Sequence, residues 1–190
     1  MSAPRDTGTT AQAWVELVTE DPEAVSALAV AKSRLAAGRT LERLRRLRLI
    51  EIRGDVPGTA EVARLLHEST QFYNPHKERC AVRARAEEVP PVRDGDAVLL
   101  VWERGGARRP AAERWWRHET GREVRVDEGV AWVMTFASGT DAASAALELG
   151  ALRDARHGLL CNPFAQEMRG GAGNIPLPWI DEAESPGAKR

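Results

Sequence analysis

An Asn-Pro pair occurs twice in this chain, at Asn74-Pro75 and Asn162-Pro163, and the two prolines lie 88 positions apart in 190 residues. Proline disfavours the helical region for the residue before it, so a helix does not run through either point. The surroundings match: a segment with helical periodicity ends in apolar residues, Leu65-Leu66 in one case and Leu159-Leu160 in the other. Asn-Pro then breaks it, and a short stretch with a Glu and a Cys or Met follows. A chain built this way reads as two copies of one unit.

Two units of about 90 residues are small for independent domains, but 43% hydrophobic residues suffice for a buried core. The formal charge is -1, from 27 basic and 28 acidic side chains, so no bulk field draws the chain to nucleic acid or to an anionic membrane. No apolar run approaches the roughly 18 residues of a membrane helix, and Met1 to Thr10 lack the apolar core of a signal peptide. The expected location is cytoplasmic. Cys80 and Cys161 fit a reducing compartment as unbridged thiols. Each follows a His by four residues, but His76 lies after its Asn-Pro pair and His157 before its own. The pairs are therefore not equivalent, and neither supplies the four ligands of a closed zinc site. No metal or cofactor is expected.

Taken in order, residues 11–19 read as a strand. Asp21-Pro22-Glu23 has the cap, the first-turn proline and the acidic residue of a helix start. The predicted buried stripe of that helix is Val25, Leu28, Ala29, Leu35 and Ala36, with Gly38 after its end. Leu41 to Arg53 changes phase between Leu47, Leu49 and Ile50, Ile52, which predicts two strands meeting at a bulge or tight reversal. Thr59 is placed as the cap of the next helix, whose face carries Val62, Leu65, Leu66, Ser69 and Tyr73. Residues 78–85 form a strand.

Pro90-Pro91 and Asp94-Gly95 mark residues 87–96 as a linker between a first repeat over 11–86 and a second over 97–169. The second repeat begins with the apolar strand 97–103 and a helix over 107–120. Strands 122–126 and 130–136 follow, joined by Asp127-Glu128-Gly129 as a hairpin turn. A last helix carries Ala142, Ala145, Ala146, Leu149 and Leu152, closed by Gly158. Residues 170–190 read as a flexible tail with Trp179 as its docking group. Each half thus reads βαββαβ, the ferredoxin-like order, and the fold class is α+β: duplicated antiparallel sheets with helices packed on one face.

The first half resembles the small S subunit (PurS) of the multi-subunit phosphoribosylformylglycinamidine synthase of purine biosynthesis. That family shows a strand, an Asp-Pro near the first helix, an arginine-bearing hairpin, and Leu-Leu-x-Asn-Pro-x-x-Glu leading into the last strand. Here these are Asp21-Pro22, Leu44 to Ile52, Leu65-Leu66, Asn74-Pro75 and Glu78. Leu159-Leu-Cys-Asn-Pro163 matches the Leu-Leu-x-Asn-Pro spacing directly. Departures are the eight positions from Leu66 to Asn74, Leu47 in place of the hairpin Gly, and Glu167 one position late.

The resemblance implies a non-catalytic adaptor that joins a glutaminase to an ATP-dependent synthetase, with the fused pair standing in for a dimer and self-association possible. The motif residues it marks for partner contact or structure are Asn74, Pro75, Glu78, Asn162, Pro163 and Glu167, and His76 joins them as a contact candidate from its place in the loop beside Asn74 and Pro75. Read without the family, the chain contains no Walker A loop, G-x-G-x-x-G, H-E-x-x-H or G-x-S-x-G motif, so no catalytic residue is assigned. Arg43, Arg45, Arg46 and Arg48 form a basic row that fits an RNA-recognition module. Such modules also stack bases on strand aromatics, and Leu41 to Arg53 has none. A small-molecule sensor fits the same fold.

Overall fold

The computed structural model describes residues 9–172 and 175–180. Its strands are β1 (Thr9–Leu17), β2 (Leu41–Gly54), β3 (Glu78–Arg83), β4 (Ala97–Glu103), β5 (Val124–Phe136) and β6 (Gln166–Ala172). The helices are α1 (Pro22–Arg34), α2 (Thr59–Glu68), α3 (Pro110–Thr120) and α4 (Ala142–Gly150), with a short 3-10 turn at Ala37–Thr40. The class is α+β, and the six strands form one antiparallel sheet in the order β3-β1-β2-β5-β4-β6. Along the chain, each half runs strand, helix, strand, helix, strand. The halves meet at the β2–β5 pair, where Leu44 faces Met134 and Gly54 faces Val124.

Both expected hairpins are single strands. β2 runs unbroken through the phase change at Leu49-Ile50, and its one register shift lies between Leu41 and Arg43. The change of phase arises because both faces of β2 are covered, so apolar residues are needed on each side. Leu47 and Leu49 enter one core, while Ile50 and Ile52 enter another. Asp127-Glu128-Gly129 is mid-strand in β5, its charges held by arginines and its Gly required by packing. A Cβ on Gly129 would lie 2.9 Å from the Val101 carbonyl oxygen. Each half therefore has three strands, not the four of a ferredoxin-like unit.

All four helices cover one face. Ala24 and Ala31 of α1 pack with Ala145, Ala146 and Leu149 of α4 over Leu44, Leu99 and Met134. Val62, Leu65 and Leu66 of α2 pack with Ala112 and Trp116 of α3 over Ala13, Ile50 and Ile52. The stripe of α1 is as expected at Leu35, which is buried, but differs elsewhere: Val25, Ala29 and Ala36 are exposed, and Ala24 and Ala31 are buried. The predicted start is as expected, since Asp21 Oδ1 accepts from the amides of Glu23 (2.8 Å) and Ala24 (3.3 Å). Three boundaries move: Gly58, not Thr59, precedes α2; Ser69 and Tyr73 lie beyond its end; and α4 stops at Gly150, short of Leu152.

The opposite face carries Trp14, Leu47, Leu49, Val98, Leu100 and Trp102, among others, and is covered by Ile175, Trp179 and Ile180. The described residues of the expected tail are thus part of the fold. Gly170 to Ala172 complete β6, and Trp179 is 1% exposed. Residues 173–174 and 181–190 of that expected tail lie outside the described residues. Residues 84–96 join the halves, and Val92 packs on the same opposite face.

Candidate functional site

The two Asn-Pro pairs fold as the same hydrogen-bonded corner. At the first, Asn74 Oδ1 accepts from the His76 amide (3.0 Å), and the Glu78 carboxylate accepts from the Asn74 amide (2.7 Å). At the second, Asn162 Oδ1 accepts from the Phe164 amide (3.1 Å), and Gln166 Oε1 accepts from the Asn162 amide (3.0 Å). The backbone closes alike, with Glu78 N donating to Asn74 O (2.8 Å) and Gln166 N to Asn162 O (2.7 Å). Asn supplies the short acceptor that an Asx turn needs, proline carries no amide to leave unpaired, and the fifth residue returns to cap the Asn. Gln166, not Glu167, therefore holds the position of Glu78; the two are 88 positions apart, as the prolines are. Glu167 instead lies on β6, opposite Trp102, with Arg104 3.9 Å away.

Each corner leads into an edge strand, β3 or β6. Its own surface is open: His76 is exposed and Phe164 is 91% exposed. Asparagine and proline at the corners thus act in shaping the turn.

Arg48 ties the first corner to the middle of the sheet. Its guanidinium donates to Phe72 O (2.8 Å) and Glu78 Oε1 (3.0 Å), and lies 3.6 Å from Glu128 on β5. Glu128 in turn meets Arg109, just before α3, at 3.3 Å. Glu103, which accepts from the Gln166 side chain at 3.0 Å, lines the same cleft of about 230 Å³ as Arg109, Glu128 and Gln166. A polar band thus runs from corner to corner between the two helix pairs. Glu128 was not legible as a member of it, because it read as a hairpin residue, and nothing in the sequence singled out Arg109.

The remaining arginines of the row are placed one by one. Arg45 donates twice to Glu16 (2.6 and 3.2 Å) and to Pro91 O (3.0 Å). Arg46 meets Glu23 at 2.9 Å and Asp21 at 3.5 Å, and its guanidinium sits 6.0 Å from the centre of the Trp132 ring. Arg43 is exposed. All but Arg48 line a second cleft of about 380 Å³ between α1 and the ends of β1 and β2, together with Glu16, Glu20, Asp21 and Glu42. Positive and negative charges alternate there, so no unopposed basic field faces solvent.

Neither thiol is poised as a nucleophile. Burial pushes the Cys80 thiol up to about 12 and raises Cys161 as well. His67 Nδ1 lies 2.9 Å from the Tyr73 hydroxyl, a packing contact at the end of α2. Among the described residues no group of three His, Cys, Asp or Glu side chains could hold a metal ion, and no helix is long and apolar enough to cross a membrane. No family model, curated protein or solved structure matches this chain.

Proposed function

We propose that the chain is a tandem adaptor of the PurS type: two copies of one βαβαβ unit fused into a single sheet, which bind protein partners and leave catalysis to them. The observation that carries this reading is the repeated corner. Asn-Pro-x-x-Glu and Asn-Pro-x-x-Gln fold with the same four hydrogen bonds, each at the start of the outermost strand of its half. The family that the sequence resembles carries Asn-Pro-x-x-Glu at that place. Two further features support duplication: proline at the first position of both α1 and α3, and the mirrored strand order about β2–β5.

A fused pair removes the concentration-dependent step by which two separate units would meet. The partners on this reading are a glutaminase and an ATP-dependent synthetase, between which ammonia must pass. The rival RNA-binding reading has less behind it, since Arg45, Arg46 and Arg48 are each engaged by carboxylates within the chain. A phosphate backbone would have to displace those partners.

The deciding experiment is reconstitution. Synthetase and glutaminase subunits of the purine pathway from the same source are mixed with the chain, and glutamine-dependent amidation is followed. Stimulation and a ternary complex in sedimentation are expected; absence of both, with each component folded, refutes the adaptor. Salt-sensitive binding of single-stranded RNA by the unmodified chain would refute it in favour of the rival.

A further inference from the structure

Among the buried polar side chains on the sheet face away from the helices are Gln12 on β1, Glu51 on β2 and Arg83 on β3. Polar groups on a buried sheet face need partners, and here they find them in the main chain of residues 175–180. Arg83 Nη2 donates to Ile175 O (2.8 Å) and Pro176 O (2.9 Å). Gln12 Nε2 donates to Pro176 O (2.8 Å). Glu51 accepts from the amides of Trp179 (2.6 Å) and Ile180 (2.9 Å) on its two oxygens. The three side chains also brace one another, Arg83 Nε to Gln12 Oε1 at 2.7 Å and Gln12 Nε2 to Glu51 Oε1 at 2.5 Å.

The recognised segment is Ile-Pro-Leu-Pro-Trp-Ile. Its prolines stand where no amide is called for, two successive carbonyls face the donors, and two successive amides face the carboxylate. Trp179 fills a pocket beside Trp14, their ring centres 6.4 Å apart. The pocket is open on its far side because Gly171 has no side chain: a Cβ there would come within 3.0 Å of the Trp179 ring. Five of these hydrogen bonds read backbone and one aromatic pocket reads a side chain, which is how peptide-binding grooves divide affinity from specificity. The fit in place is also incomplete, since the buried indole N–H of Trp14 has no acceptor among the described residues.

We propose that this face is a peptide-binding groove occupied in the structure by the chain's own residues 175–180, and that in trans it takes a partner segment of the form aliphatic-Pro-x-Pro-Trp-aliphatic. The tethered copy competes at high effective concentration, so the groove opens to a partner only when that partner outbids it, for example by offering Trp14 an acceptor. The groove is distinct from the polar band on the helical face and does not depend on the adaptor having purine-pathway partners.

The test uses the full chain with Trp179→Ala, which empties the aromatic pocket, and the fluorescein-labelled peptide Ile-Pro-Leu-Pro-Trp-Ile as probe. Anisotropy titration is expected to show the peptide binding the Trp179→Ala chain at least tenfold more tightly than the unmodified chain, and that gain lost when Arg83→Ala is added. Equal binding to both chains, with Trp179→Ala folded by circular dichroism, overturns the proposal. Should Trp179→Ala not fold, hydrogen exchange on the unmodified chain decides. Trp179 and Ile180 amides that exchange at least tenfold faster than the β2 and β5 amides support a releasable occupant; exchange only through global unfolding overturns it.

Discussion

Replacing Glu51 by Gln isolates the charge at the centre of the buried polar cluster while keeping its shape. The carboxylate takes three donors, from Gln12, Trp179 and Ile180, and a Gln amide can accept on one atom only. Turning its NH2 toward an amide leaves one buried donor unmatched on each side, at about 1–3 kcal/mol apiece, and the relief of burying a charge offsets part of this; a net loss of about 2 kcal/mol at neutral pH follows. The pH dependence is the sharper signature. Burial outweighs the hydrogen bonds and the nearby Arg53, so the Glu51 pKa is raised above its ordinary value of 4.5. A carboxyl whose pKa is higher folded than unfolded binds more protons when folded, so its share of stability falls as pH rises from about 4.5 through the folded value. The Gln variant lacks that share, and other groups cancel in the difference. Urea unfolding of both chains between pH 5 and 7.5 should therefore show the gap widening as pH falls. A gap that narrows toward pH 5 would mean that the donors stabilise the anion more than burial opposes it, and the reasoning would fail.

Other expectations rest on single sites. Trp116→Ala should cost about 3–5 kcal/mol in denaturant unfolding, since the indole is fully buried against Phe72 and Trp115; a loss under 1 kcal/mol would show that the second core is not packed as described. Gly38→Ala should destabilise by about 1–3 kcal/mol, because its Cβ would sit 2.1 Å from the Ala31 carbonyl oxygen and the backbone must shift; an unchanged melting temperature would contradict that approach. Cys80, with its thiol near 12, should react with iodoacetamide at pH 8 roughly a thousandfold more slowly than a free thiol of ordinary pKa, and a rate near that of free cysteine would disprove the burial.

Much of the fold was legible because local signals and tertiary demands agree. The cap at Asp21, the strand at 97–103 and the paired tryptophans of α3 each satisfy a propensity and a packing need at once. The two expected hairpins failed for one reason. A strand buried on both faces loses its alternation, so the change of phase in β2 looked like a reversal, and three turn-type residues in β5 looked like a hairpin although arginines and a tight strand contact hold them in the sheet. Of the candidate site, the corners were visible as motifs, but the residue closing the second was taken as Glu167 because a carboxylate was sought where an amide oxygen serves as well. Gln12 and Glu51 had a signal that went unused: each sits between two apolar neighbours, Ala11 and Ala13 or Ile50 and Ile52, where a side chain without a partner would be costly.

The central β2–β5 pair has a consequence for how the chain is made. β2 pairs along its length with a strand that begins 70 residues later (Gly54 to Val124), and at about 5–20 residues per second of synthesis the wait is on the order of several seconds. During that time the first half presents β2 as an unpaired edge with Leu47, Leu49, Ile50 and Ile52 on its two sides, a template for pairing with another nascent copy. The charges along the strand are then more than surface decoration. Arg46, Arg48 and Arg53 would face one another's like charges in many wrong pairings with a second β2, whereas β5 offers Arg48 and Arg53 the carboxylates Glu128 and Asp127. Like charges across such a pairing would disfavour it, so the arginine row would favour the chain's own late strand over its neighbour's early one.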